Sequence, residues 1–408
     1  MHILLVIDNF PPEANASAIR AQAHARQWVQ AGHTVTVLTC CPNFPKGQVY
    51  PNYRNRFYTR ETIDGIQVVR VKTYITENKG VFKRIVDYMS FGCSAAFFGL
   101  FIKKPDVIIG SSPQPFAACA AWFLAKCKRV PFVFEVRDLW PQSILDLQAM
   151  KPGMLLTLFE RVMHFLYKRA ALVICVTEGI RARLIEMKVQ PDKIKVIYNG
   201  ASPTTLQPSC TRTEILERFQ LPDKILIGHV GSLSNVYALK TILQAAKILQ
   251  SNPRIHFVIM GAGIQADLIA GLAASCSNVS LLPPGSHIDA VNVCNALNYC
   301  VISHCVISRG KFGILKDALP TRMFEAMALR KPIFLGTEGE SYRWVIEYAQ
   351  AGVYFEPENP QDLARVINVT LSDPLCQPYG ENGYQCFKEH FDRDKLALQM
   401  LNYLKDCR

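Results

Sequence analysis

Two Rossmann-like, doubly wound parallel α/β domains are what this 408-residue sequence predicts. Short apolar runs alternate with helical patterns along nearly the whole chain. The alternation stops at a polar, proline-bearing stretch near the middle and then starts again. Half of the residues are hydrophobic and 19% are charged, enough apolar material for two packed cores.

In the first half, runs at Ile3–Ile7, Thr34–Leu38, Ile66–Val71, Asp106–Ile109, Phe132–Glu135, Leu172–Val176 and Lys195–Ile197 read as strands. Helical spacing falls between most of them, over Ala18–Gln30, Phe82–Phe101, Phe116–Ala125, Met154–Lys168 and Glu178–Met187. Strands this apolar are buried on both faces, which calls for parallel pairing beneath helical layers. Asn199–Pro222, with Pro203, Pro208 and Pro222, reads as a linker. Beyond it, strands are expected at Ile225–Val230, His256–Met260, Val279–Leu282, Tyr299–Ser303, Pro332–Leu335 and Val353–Phe355. Helices are expected at Leu239–Gln250, Gln265–Ala274, Ile288–Ala296, Thr321–Leu329 and Tyr342–Ala349, with a last one over Lys395–Lys405. The expected domains are 1–205 and 206–385, with a C-terminal helical segment over 386–408 packing back towards the first. Such sheets bind ligands beyond the carboxyl ends of their strands, so the site is expected in the cleft between the domains.

Charge narrows the partners. Residues 1–205 hold 26 Lys and Arg against 14 Asp and Glu, while 206–408 hold 19 of each, so the whole net charge of +12 sits in the first half. That fits contact with an anionic membrane surface or a phosphorylated acceptor, and fits equally a surface charged for solubility. Nucleic acid is not expected, because the chain has no zinc-finger spacing, basic-zipper block or RNA-stacking motif. Fourteen cysteines form no C-x-x-C pair, and Cys119 and Cys175 lie in apolar runs, which suits free thiols in a reducing cytoplasm and no metal site. The start lacks a signal peptide's basic region, and no stretch reaches the roughly 18–20 apolar residues of a spanning helix; the nearest, Tyr88–Ile102, is uncharged but broken by Gly92 and Gly99. Lys83, Arg84, Lys103 and Lys104 flank the first of two apolar helical stretches, and the second, Met154–Arg169, mixes Leu155, Leu156, Phe159, Phe165 and Leu166 with Arg161, Lys168 and Arg169. Both patterns suit helices lying on an anionic bilayer, or core-facing helices with solvated ends.

Three segments in the second half could hold an anionic nucleotide. In Leu319–Ala328, Pro320 suits a helix start, followed by Thr321, and the free amides there attract anions. Arg322 and Glu325 share one face of that helix, and Asp317 lies eight residues before Glu325. A guanidinium for a diphosphate and a carboxylate for ribose hydroxyls would divide the work; on spacing alone an ordinary Arg–Glu surface pair is the better reading. Gly231, Ser232 and Asn235 follow the Ile225–Val230 strand, where small residues let backbone approach a ligand. Gly261 and Gly263 form a G-x-G turn after the next strand; no acid ends the strand beyond it, so a nicotinamide fingerprint is not met.

Asp317-x7-Glu325 followed by AMALRKPIF resembles the E-x7-E segment of retaining family 4 glycosyltransferases, which have the GT-B fold. The resemblance implies that Glu325 binds ribose, Asp317 touches the donor sugar, and Arg322, with Pro320 and Thr321, meets the diphosphate. Relatives carry an Arg and a Lys after the glycine loop; here Asn235 and Tyr237 stand there, with Lys240 the nearest base, so more weight falls on Arg322. Asn9–Glu13 resembles the family's opening loop, with Ala14–Ser17 replacing its glycine pair and Glu13 on the donor side. Cys41–Gly47 and Glu135–Pro141 resemble a subgroup that assembles bacterial O-antigen, capsule and exopolysaccharide, similar to N-acetylfucosaminyltransferases. Relatives place a sugar-contacting His near Arg137 and Asp138, which makes these two the catalytic candidates beside Asp317. A helix cap is an equal reading of Asp138.

The implied reaction moves a sugar, with retention, from a nucleotide-diphosphate donor to a lipid-linked or oligosaccharide acceptor. The implied donor is an N-acetylated amino sugar or deoxysugar on UDP. No cofactor or metal is implied, and Asp392-Arg393-Asp394 reads as the cap of the last helix, not as a metal motif. The implied location is cytoplasmic, peripheral on the inner face of the membrane. Two rivals stay open: a GT-B sugar-nucleotide epimerase, and a non-catalytic, membrane-peripheral nucleotide-binding assembly protein.

Overall fold

The structure is a computed structural model and describes residues 1–76, 81–112, 114–140, 153–305, 313–372 and 378–407. Pro141, which ends the Glu135–Pro141 segment, lies outside them. Contacts divide the chain into unit 1, Met1–Tyr198 with Arg393–Arg408, and unit 2, Asn199–Asp392.

Unit 1 carries β1 (His2–Val6), α1 (Ala16–Gln30), β2 (Thr34–Cys40), β3 (Tyr58–Ile63), β4 (Ile66–Val71), α2 (Val81–Gly99), β5 (Val107–Ser111) and α3 (Pro115–Lys128). It continues with β6 (Phe132–Val136), α4 (Met154–Arg169), β7 (Leu172–Cys175), α5 (Glu178–Glu186) and β8 (Ile194–Val196). The sheet order is β3-β4-β2-β1-β5-β6-β7-β8, with only β3 antiparallel. Ile3 pairs with both Val35 and Val107, and all three are fully buried, as central strands covered on two faces must be. Gly92 of α2 backs onto Phe116 and Gly99 onto Leu124, so these glycines let α2 and α3 lie close.

β3 has no counterpart among the strands that the sequence predicts. Its sequence, YTRETI, alternates half-exposed and exposed positions, as an edge strand does, and lacks an apolar run. Asp64 and Gly65, both at positive φ, turn it back into β4.

Unit 2 carries α6 (Arg212–Arg218), β9 (Ile225–Val230), α7 (Leu239–Ile248), β10 (Ile255–Met260), α8 (Ala266–Ala273), β11 (Val279–Leu282), α9 (His287–Ala296) and β12 (Tyr299–Ser303). It continues with α10 (Thr321–Ala328), β13 (Ile333–Gly336), α11 (Glu340–Tyr342, prolonged as a π-turn over Arg343–Tyr348), β14 (Gly352–Tyr354), α12 (Pro360–Ser372) and α13 (Tyr379–Cys386). Its order, β11-β10-β9-β12-β13-β14, is parallel throughout. The expected linker Asn199–Pro222 is corrected in part: it contains α6, whose start is a capping box in which Thr211 and Glu214 satisfy each other's amides.

The last helix, α14 (Arg393–Asp406), returns to unit 1. Leu396, Met400, Leu401 and Leu404 join its core, and Trp28 Nε1 donates to the Ala397 carbonyl at 2.8 Å.

Candidate functional site

Beyond the carboxyl ends of β9 and β10, unit 2 brings three glycines together. The Gly231 amide donates to Met260 O at 2.6 Å and the Leu233 amide to Ala262 O at 2.9 Å, so the two loops run against each other. A Cβ on Gly261 would lie 1.6 Å from Gly231 O, and one on Gly263 would lie 2.3 Å from Leu233 O. No side chain fits at either position. Gly231 itself sits at φ +148°, a region that side chains avoid.

A Cβ on Gly231 would also lie 1.5 Å from Cζ of Arg322. The guanidinium therefore rests against the Gly231 backbone, in space that only glycine leaves open. Arg322 is the second residue of α10, after Pro320 in extended conformation and Thr321 at the first helical position. Its Nη1 lies 3.6 Å from a Glu325 carboxylate oxygen, with both side chains about three-quarters buried. The Arg–Glu pair is thus present, and it is also seated at the mouth of the glycine loops.

Electrostatics tie the same neighbourhood together. Burial and then the charge of Arg322 push the His229 imidazole down to about 4, so it is neutral near pH 7. Burial raises the Tyr237 hydroxyl while Arg322 opposes it. The Tyr237 ring lies 5.3 Å from that of His229 and 5.5 Å from that of His304, which burial also pushes down to about 4. Tyr237 thus stands in a tilted aromatic cluster where the relatives that the sequence resembles carry a base.

The other donor-side candidates are placed less centrally. Ser232 is exposed, and its carbonyl lies 3.4 Å from His229 Nε2. Asn235 accepts from Gln265 Nε2 at 3.1 Å. Lys240 is exposed on the first turn of α7. Asp317 ends a 3₁₀ turn, Ile314–Asp317, just before the extended approach to α10.

Unit 1 holds a cavity of about 580 Å³ at the carboxyl ends of β1, β2, β5 and β6. Asp8, Asn43, Arg84, Asp87, Tyr88 and Arg137 supply its polar chemistry. The Arg137 amide donates to Ser112 Oγ at 2.8 Å, its guanidinium bonds Ser17 Oγ, and its Nε is buried without an acceptor among the described residues. The Asp138 amide shares Ser112 Oγ at 3.3 Å. Beneath them Glu135 is buried, paired with Arg20 at 3.0 Å and accepting from Ser111 Oγ at 2.6 Å. Burial alone would raise this carboxyl; Arg20, Arg137 and Ser111 outweigh it and hold the pKa below its ordinary value.

Glu13 does not present its carboxylate to this cavity as a free group. It accepts from the amides of Phe10, Asn43 and Phe44 at 3.2, 2.9 and 2.8 Å, and so braces the two loops around it. Asp8, Arg84, Asp87 and Tyr88 were absent from the sequence candidates. They come from two segments almost 80 residues apart, and no spacing links them.

Burial, and then the charge of Glu13, pushes Asp8 up to about 6. An unfolded Asp titrates near about 4, so the native state holds this proton more tightly. The associated stability is complete below about pH 4 and is lost as pH rises through about 6. Asp8→Asn is therefore expected to raise the melting temperature relative to the parent at pH 8, with the gain shrinking by pH 5 and vanishing below pH 4. Melts across that range check it, and a pH-independent difference would refute it.

Two parallel α/β units in succession are the GT-B architecture, and comparison with known proteins supplies the family. A "Glycosyl transferase 4-like domain" model matches residues 15–200, and a "Glycosyl transferases group 1" model matches residues 211–386. The chain belongs to the family 4 glycosyltransferases of GT-B fold, and it is an enzyme of that type. It is 25% identical to the protein of Escherichia coli strain K12 named "Putative colanic acid biosynthesis glycosyl transferase WcaI", over 99% of this chain and 100% of that protein. Sucrose-phosphate synthase from Thermosynechococcus elongatus has the same fold, with a TM-score of 0.74 at 17% identity over 99% of this chain and 98% of that one. Anabaena Alr3699/HepE, solved with UDP and glucose, matches with a TM-score of 0.70 at 16% identity over the full length of both chains.

Proposed function

We propose that this enzyme transfers a sugar from a UDP-linked donor, with retention, to a lipid-linked or oligosaccharide acceptor in bacterial surface polysaccharide synthesis. The observation that carries the donor half is the Arg322 guanidinium seated against Gly231 at the start of α10. A fixed cation beside free helix amides is suited to a diphosphate whose charge grows as the sugar departs. Glu325, one turn on, is assigned to the ribose hydroxyls, and Asp317, Arg137 and Asp138 to the transferred sugar. The UDP in the Alr3699/HepE structure supports a uridine donor, and the name of WcaI supports a surface polysaccharide.

In this reading the leaving diphosphate needs no metal, because Arg322 and the helix amides neutralise it. The acceptor is assigned to the unit 1 cavity, where Arg84 and Arg137 suit a phosphorylated or highly hydroxylated ligand and Asp87 suits a sugar hydroxyl. The proposed location is peripheral, on the inner face of the cytoplasmic membrane. Among the described residues no helix is long and apolar enough to cross a membrane.

Thermal unfolding with UDP, GDP, ADP, CMP and NAD tests the donor reading. UDP at about 100 times its Kd should stabilise the fold by roughly 2.7 kcal/mol, and NAD should do nothing. Glu325→Ala should lose the UDP shift while melting near the parent temperature, and transfer should survive a chelator. A shift with NAD alone would remove the donor assignment, and conversion of UDP-sugar without acceptor would favour an epimerase.

A further inference from the structure

The β3–β4 hairpin borders a second cavity in unit 1, of about 450 Å³. Its lining includes Arg54, Arg56, Arg60 and Arg70, with Tyr53 and Glu61. The one carboxylate is already engaged: Glu61 accepts from Arg70 Nε at 2.5 Å, and the remaining Arg70 nitrogens go to the carbonyls of Cys40 and Pro11. Arg70 is buried and lies over the Tyr53 ring at 5.1 Å, forming a fixed floor. Arg54 and Arg56 are exposed, and their guanidinium groups have no acceptor among the described residues. Arg60 is exposed as well, its Nε donating to the Tyr58 hydroxyl and its guanidinium lying over the Tyr58 ring at 5.3 Å. Three solvent-facing cations thus border a concave site with no free negative group among its described lining residues.

The surface beside this cavity is apolar. Phe57, between Arg56 and Tyr58, is 67% exposed, with Lys72 Nζ over its ring at 4.4 Å. The Tyr58 ring lies 5.9 Å from that of Phe98, which joins the hairpin to the end of α2. There Phe97 and Phe101 are 57% and 67% exposed, and their rings meet edge to face at 5.5 Å. Large aromatic rings left in solvent beside arginines carry a clear cost unless something covers them. A protein partner would need acidic side chains set opposite these arginines. A bilayer meets both demands at once, with phosphates at headgroup depth and hydrocarbon just below.

We propose that the cavity at the β3–β4 hairpin binds the phosphate of an anionic phospholipid headgroup, with Phe57, Phe97 and Phe101 entering the interface beside it. This rests on the membrane location proposed above and assigns it to a specific site. The arginines give charge attraction of about tenfold or less per residue near such a surface, and guanidinium forks suit phosphate oxygens.

The test is co-sedimentation of the full chain with vesicles of phosphatidylcholine alone or mixed with phosphatidylglycerol. The parent should bind the mixed vesicles, weakly bind the neutral ones, and lose binding as salt rises. The triple variant Arg54→Ala, Arg56→Ala, Arg60→Ala should bind mixed vesicles roughly 100-fold more weakly, at an unchanged melting temperature. Phe57→Ser should weaken binding to both vesicle types. Equal binding by parent and triple variant would overturn the hairpin site and leave the membrane location standing. No binding by the parent to either vesicle would overturn both. Saturable binding of glycerol phosphate in place of vesicles would make this a site for soluble phosphates and would also overturn the proposal.

Discussion

Arg322→Ala is expected to lower the rate of sugar transfer by a factor of roughly 10²–10³ while the protein stays folded. The side chain is about three-quarters buried and fills the space that Gly231 leaves open. Its removal withdraws a fixed positive charge from the place where, in the proposed reaction, negative charge grows. The loss should fall mainly on kcat, because the charge to be stabilised is greatest in the transition state. Arg322→Lys should recover only part of it, since an ammonium cannot reproduce the planar fork. Steady-state kinetics on all three proteins decide the matter. A variant with kcat near that of the parent would move the leaving-group role elsewhere, and Lys240 would be the next residue to test.

The largest single loss of stability is expected at Arg20. Its guanidinium pairs with the buried Glu135 and reaches the carbonyls of Tyr198 and Ile197 at 2.9 and 3.3 Å. Arg20→Ala leaves a buried carboxylate without its main partner, a change that costs roughly 3–5 kcal/mol. The cost should shrink in acid, where Glu135 takes up a proton. Adding Glu135→Leu to Arg20→Ala should return part of the stability, because the stranded charge is gone. Denaturant unfolding of the single and double variants measures each step. A single-variant loss under about 1 kcal/mol would mean that Arg137 alone neutralises Glu135.

Much of the fold was legible because its central strands are continuous apolar runs. Ile225–Val230, His256–Met260 and Tyr299–Ser303 fall within a residue of where the pattern puts them. What escaped was built on other signals. β3 is a polar edge strand, marked only by the Asp64–Gly65 turn beside it, and α6 hides among prolines with Thr211 and Glu214 as its mark. The α12 helix begins at Pro360 behind Asn359, whose side chain accepts from the Asp362 amide at 3.0 Å. An Asn-Pro pair reads as a turn before it reads as a helix start.

The candidate site was legible one segment at a time. Gly231 and Arg322 each stand in a recognisable motif, yet they are some 90 residues apart in the chain and no pattern joins them. Their contact is a property of the β9–β12–β13 order, which puts α10 beside the β9 loop. The Asp8–Asp87–Arg84 group is harder still. Asp8 follows a strand, the other two lie on a helix face, and neither setting alone distinguishes a cavity wall from a solvated surface.

Unit 1 is written in two pieces, and that fixes an order of events during synthesis. The residues that close its core, Leu396, Met400, Leu401 and Leu404, are translated after all of unit 2. At ribosomal speeds of about 5–20 residues per second, α1 waits tens of seconds for the helix that covers Trp28. Unit 2, contiguous from Asn199 to Asp392, needs no later residue and can be complete first. During that interval the nascent first half carries an open apolar face where Leu396, Met400, Leu401 and Leu404 will later pack.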